Sequence, residues 1–162
     1  VDIWEINPQG WFTNIEIESS LGREIIHRAQ ASHSSTRDCV YLIKGYGISD
    51  DHESNGKIAW KIGYSKEPLE RIKALQDKYQ AEMELVHMIY SDKANAVEQI
   101  LHAIFRNKPY RNTQSWEWFD LDDYDVEWLI SLRFIDSDIL EEAARNLIGL
   151  TASAVLFRGR GQ

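Results

Sequence analysis

Arg71 and the pair Glu98/His102 are the side chains placed to do chemistry. Arg71 enters with Pro68-Leu69-Glu70-Arg71, at the start of a stretch whose apolar residues Leu69, Ile72, Leu75 and Tyr79 recur at helical spacing. It falls just off that stripe, so its guanidinium can leave the packed face and grip a phosphate as a fork. Glu98 and His102 are four apart on a second helix with the stripe Ala94, Val97, Leu101, Ile104 and Phe105. Glu98 adjoins Val97 and Leu101, on the rim of the stripe. A carboxylate there is held in place yet can reach a metal ion. One carboxylate suits Mg²⁺, which keeps several of its own waters. A phosphate-binding cation and a metal-binding carboxylate are the equipment for hydrolysing a phosphodiester. That reaction needs an activated water, neutralised phosphate charge and help for the leaving oxygen. The plainer alternative is an ordinary helix-surface pair for Glu98 and His102, worth a few tenths of a kcal/mol, with Arg71 as surface decoration beside Glu67 or Glu70.

The elements that must position these groups follow from periodicity and turn chemistry. Val40-Tyr41-Leu42-Ile43 and Lys57-Ile58-Ala59-Trp60-Lys61-Ile62-Gly63 are rich in β-branched and aromatic residues. They flank Gly45, Gly47, Asn55 and Gly56, so they read as two strands joined by a long polar hairpin loop. Ser65 is the expected cap, and Pro68 suits the first turn, of a helix to about Tyr79. Glu84–Tyr90 reads as a third strand. Ser91 or Asp92 is the expected cap of the helix carrying Glu98, which runs to about Arg106. Trp116–Leu121 reads as a short extended segment. Asp123 or Asp125 opens another helix, and Asp136 or Ser137 caps a last one that ends at Gly149. Before this core, residues 1–17 alternate loosely as a strand or hairpin arm. Ser19–Gln30 reads as a helix with the stripe Leu21, Ile25, Ile26 and Ala29. The tail from Thr151 is expected to fray.

Bulk properties narrow the classes. A chain of 162 residues with 43% hydrophobic and 27% charged residues suits one globular domain with extensions. No apolar run approaches the roughly 20 residues that cross a membrane, and the first residues do not read as a secretory signal. The lone Cys39 cannot form an internal disulfide, which fits a reducing compartment. His27 and His33 have no metal-ligand spacing with it. The loop acids Asp50, Asp51 and Glu53 lack the alternating ligands and central glycine of a calcium loop. The net charge of −8 runs against a chain uniformly built for phosphate. Basic residues do concentrate at Lys57, Lys61, Lys66, Arg71, Lys73 and Lys78, and again at Arg106, Lys108 and Arg111, and a local patch is enough. Much of the acid lies in 120–127 and 136–142.

An ordered set of short motifs resembles the GIY-YIG nuclease superfamily. Val40-Tyr41-Leu42 and Lys61-Ile62-Gly63 stand for its two name-giving tripeptides, and Arg71 follows eight residues after Gly63. Glu98-Gln99-Ile100-Leu101-His102 and Glu117-Trp118-Phe119 complete the pattern of its phage and meiotically up-regulated-gene branch. The resemblance covers about 38–121. It implies that Tyr41 orients or deprotonates the attacking water, that Arg71 stabilises the phosphate, and that Glu98 binds Mg²⁺ or Mn²⁺. Lys61 and His102 join the candidate catalytic set. Glu117 reads mainly as a rim element of the segment that closes the sheet. Lys61 stands where the second motif usually has tyrosine, and Leu75 stands one turn after the arginine, where many members carry His or Tyr. Tyr41 would need a strong neighbouring cation to work as a base, since its free pKa is near 10, and Lys61 and Arg71 are the candidates.

The expected fold is α/β, a small three-stranded and largely antiparallel sheet flanked by helices. Residues 1–37 form an N-terminal arm and helix, 38–121 the nuclease-like domain, and 122–162 a C-terminal helical extension. The expected function is metal-dependent DNA endonuclease. The alternatives are a catalytically silent nucleic-acid-binding module or a protein-interaction domain. DNA is the expected partner, with specificity supplied by a partner protein or a missing domain. The expected location is the cytoplasm or a nucleoid- or nucleus-associated pool, with no membrane.

Overall fold

The computed structural model describes residues 19–33, 36–49, 56–111, 113 and 117–146. The arm expected at 1–17, the tip of the hairpin loop, the helix stop at Gly149 and the tail lie outside the described residues. Among the described residues four strands form one sheet: β1 (Cys39–Tyr46), β2 (Ile58–Ser65), β3 (Met83–Tyr90) and the short β4 (Trp118–Phe119). Their order is β3-β1-β2-β4, and every pairing is antiparallel. The chain is thus α/β, as its sequence suggests, with one strand more than expected. The extended segment around Trp118 pairs with Trp60 and Lys61 and closes the sheet beyond β2.

Five helices surround the sheet among the described residues: α1 (Ser19–Arg28), α2 (Pro68–Tyr79), α3 (Ala94–Ile104), α4 (Asp123–Ser131) and α5 (137–146). Side-chain alternation along the strands sorts them onto two faces. Val40, Leu42, Ile62 and Ile89 point to one face and pack with α1, α3, α4 and α5. Tyr41, Ile43 and Ala59 point to the other and pack with Ile72, Leu75 and Tyr79 of α2 and with Trp118. β1 is central and covered on both faces. Its Val-Tyr-Leu-Ile run is therefore continuous in apolar character rather than alternating. Full burial of each such side chain contributes about 1.5–3 kcal/mol.

The residues flanking the motif region belong to the same core. Ile25, Ile26 and Ala29 of the first segment are fully buried. Gly22 lets α1 cross α3 closely, because a Cβ there would press on Ile104. Arg23 lies 4.3 Å from the Trp128 ring centroid and pairs with buried Asp125 at 3.0 Å, which ties α1 to α4. Asp122 and Asp125 form a capping box at the start of α4.

Three local expectations need correction. Leu69 is 65% exposed; the buried stripe of α2 begins one turn later, at Ile72, because nothing among the described residues covers the first turn. Ser65 does not cap α2. Its hydroxyl accepts the N–H of Glu67, which is itself the cap position, at 2.9 Å. Ser91 does the same for Lys93 ahead of α3. In both places serine shapes the turn into the helix instead of satisfying its first free N–H groups.

Candidate active site

Tyr41 lies in the middle of β1 and pairs across the sheet with Gly63 of β2. Its phenol lies directly over that glycine, so that a Cβ at 63 would overlap the ring and its oxygen. Glycine is required here for space, not for an unusual backbone. Tyr41 is 2% exposed, and its phenol lies within hydrogen-bonding and electrostatic reach of the exposed Arg71 from α2. Burial raises the Tyr41 pKa, and the Arg71 bond and charge only partly oppose it. The hydroxyl is therefore protonated at neutral pH.

Lys61 points to the same face, next to Tyr41 by the period of two. Only 2% of it is exposed. A buried ammonium needs a partner, and it has Glu117, the residue just before β4, in a close ion pair. The ammonium also lies 5.7 Å from the Trp118 ring centroid. Burial pulls the Lys61 pKa down, against the opposing charge and bond of Glu117. Burial alone would push Glu117 up, but Lys61, with His102 and Arg71, carries its pKa down on balance.

Glu98 comes from α3, which packs on the opposite face, but the side chain meets the outer edge of β2. There it lies within hydrogen-bonding reach of the Tyr64 N–H. His102, one turn on, has Nε2 2.6 Å from the Ile62 carbonyl and donates to it. The Ile62 N–H donates to the Glu117 carbonyl at 3.3 Å. The three backbone groups on β2's edge past β4 thus find partners in Glu117, His102 and Glu98. Buried backbone groups demand such partners. Glu98 is 9% exposed. Burial, then the charge of Glu117, raises its pKa to about 7, against Lys61 and the Tyr64 N–H. Burial also lowers the pKa of His102, whose Nε2 is 3.8 Å from Glu98.

The structure brings Tyr41, Lys61, Arg71 and Glu98 within electrostatic reach of one another, with Glu117 among them. His102 adjoins the group with its Nε2 engaged by backbone. Glu117, expected mainly as a rim element, is the direct partner of Lys61. The signal was present: an inward-facing lysine must find a carboxylate, and Glu117 precedes the strand that pairs with it. Among the described residues no group of three or more His, Cys, Asp or Glu could hold a metal. A hydrated Mg²⁺ or Mn²⁺ on Glu98 fits the donor set, because a carboxylate kept near neutral by burial and a second carboxylate gains from a dication.

The model of the T5orf172 domain family matches residues 38–137. No curated protein and no solved structure matches the chain. Among the described residues no helix is long and apolar enough to cross a membrane.

Proposed function

Because the chain belongs to the T5orf172 domain family, a nuclease-like one, we propose that it is a metal-dependent endonuclease of GIY-YIG type acting on DNA. The observation that carries this reading is the approach of Arg71 to the Tyr41 phenol over Gly63, within electrostatic reach of the buried Glu98 carboxylate. Arg71 is exposed and can bind the scissile phosphate as a fork and offset its developing charge. With its oxygen accepting from Arg71, Tyr41 keeps its O–H to donate to a water or a phosphate oxygen, so it orients rather than deprotonates. Lys61, fixed by Glu117, adds a positive field from beneath. His102 holds the β2 edge that places Glu98, a positioning role. A divalent ion on Glu98 would neutralise phosphate charge and lower the pKa of a bound water. Sequence specificity would come from another region or a partner protein.

Incubation with plasmid, single-stranded DNA and RNA, with Mg²⁺ or Mn²⁺ and with chelator, tests this. Metal-dependent cleavage by the wild type that falls by orders of magnitude in Glu98→Gln is the expected result. DNA binding with no cleavage under any condition would favour a silent binding module. The protonated Tyr41, and Lys61 in place of the second-motif tyrosine, are the observations on that side.

A further inference from the structure

The end of the β1–β2 hairpin away from Gly63 carries a second surface. The cross-strand pairs Lys44–Trp60 and Tyr46–Ile58 share the face of Leu42 and Ile62. Around Leu42 and Ile62 that face is packed under helices. Farther along it opens, with Tyr46 40% and Ile58 42% exposed. The Lys44 ammonium lies 5.4 Å from the Tyr46 ring centroid and 5.6 Å from that of Trp60. A cavity of about 510 Å³ opens there, bordered by Lys44, Lys57, Trp60 and Arg111 with Asp120 and Asp123.

We propose that this face is a second nucleic-acid contact, which takes unpaired nucleotides of the strand being cut; it rests on the nuclease reading above. Aromatic rings on a sheet surface, interleaved with cations, bind single strands because every base has a face to stack. Bases inside a duplex have none to offer. The cavity falls within the range of about 300–1,000 Å³ that holds small ligands, enough for one nucleotide. Its cations suit the phosphate. Trp60 and Gly63 are three residues apart, about 10 Å along β2, or at least about three base steps at 3.4 Å each. The rings lie on the opposite face from Tyr41 and Arg71. A strand reaching both must turn the edge of the sheet. Duplex DNA, stiff over about 150 base pairs, cannot make that turn, whereas an unpaired strand can. The implied substrate is a nucleic acid with a single-stranded stretch beside the cleavage point.

Fluorescence anisotropy in chelator, with labelled oligo(dT) and a blunt duplex of equal length, tests the contact apart from cleavage. Trp60→Leu and the double variant Lys44→Ser/Arg111→Ser should each weaken oligo(dT) binding about tenfold or more. Trp60→Phe should retain it, and duplex binding should change little in all three. The double variant lies on the surface and keeps the test open if Trp60→Leu misfolds. Oligo(dT) binding that is absent in the wild type, or unchanged in the double variant and in folded Trp60→Leu, overturns the contact. Binding that depends on these residues while no nucleic acid is cut with any metal upholds the contact and removes the nuclease reading. Arg71→Ala serves as the reference, expected to weaken both ligands.

Discussion

Replacing Glu98 by Gln tests the site without its substrate. Glu98 is 9% exposed, and burial, then the charge of Glu117, moves its pKa from 4.5 to about 7. At about 1.4 kcal/mol for each tenfold change in ionisation, the charged form is disfavoured in the fold by about 3 kcal/mol. The sign is that of a buried acid. The folded state keeps a proton that the unfolded chain releases above about pH 4.5. The stability contributed by the neutral carboxyl is whole below that pH, declines as pH rises and is gone above about 7. Gln cannot ionise, and its amide oxygen can still accept the Tyr64 N–H. Urea unfolding of the two proteins should therefore give similar stabilities near pH 4.5. Near pH 8 the variant should be the more stable by up to about 3 kcal/mol. Other titrating groups are common to both proteins and largely cancel in the difference. If Glu98 is the proposed metal ligand, millimolar Mg²⁺ near pH 8 should raise the stability of the wild type and not that of the variant, which lacks the charge. A stability difference that does not vary between the two pH values, or a variant weaker near pH 8, would refute the desolvated carboxyl.

Five further outcomes are expected. Arg71→Ala should weaken DNA binding and flatten its salt dependence by about one phosphate contact, read by anisotropy across a salt series, while costing at most about 1 kcal/mol of stability. Gly63→Ala should lose about 1–3 kcal/mol in urea unfolding because the methyl displaces the Tyr41 phenol, and cleavage should fall with it. Glu117→Gln should destabilise by about 1–3 kcal/mol near neutral pH, a range reduced for the 42% exposure of its side chain. Lys61→Met, which removes the buried charge altogether, should cost less than Glu117→Gln. Leu69→Gln should change stability by no more than about 0.5 kcal/mol, since the side chain is exposed despite its helical spacing.

What the sequence made legible is what local periodicity controls. The apolar stripes of α1 and α3 stand where helical spacing puts them, and the strands β1, β2 and β3 where short runs of β-branched and apolar residues between turn signals put them. The rim position of Glu98 followed from Val97 and Leu101 alone. Leu69 misled because spacing defines a face but not how far along a helix that face is covered. Ser65 and Ser91 misled because a serine near a helix start can bond the cap residue itself as readily as the turn beyond it. The side chains around Gly63 were harder to read. His102 meets the Ile62 carbonyl 40 positions away, and Lys61 meets Glu117 across 56. Lys61 posed opposed rules: the period of two turned it inward, and its charge argued for water. Only a carboxylate brought in by a later strand resolves that conflict, and no local window contains both residues.

The edge of β2 explains why placement and chemistry are hard to separate here. Three backbone groups on that edge, on Ile62 and Tyr64, are satisfied by Glu117, His102 and Glu98. Glu98 thus does two things at once. It caps a strand edge that β4 is too short to cover, and under the proposed function it would carry the charge offered to a metal. An alanine at 98 would remove both, leaving the Tyr64 N–H without its partner, so lost cleavage in that variant would not distinguish a broken edge from a missing ligand. Glutamine removes the charge and retains the acceptor. The same reasoning applies one turn on. His102→Ala frees the Ile62 carbonyl, whereas His102→Gln keeps a donor on a flexible arm. If His102 acts by holding the edge, glutamine should restore most of the activity that alanine loses, with the pH profile of cleavage unchanged. If the imidazole instead moves a proton in the reaction, glutamine should fail as fully as alanine.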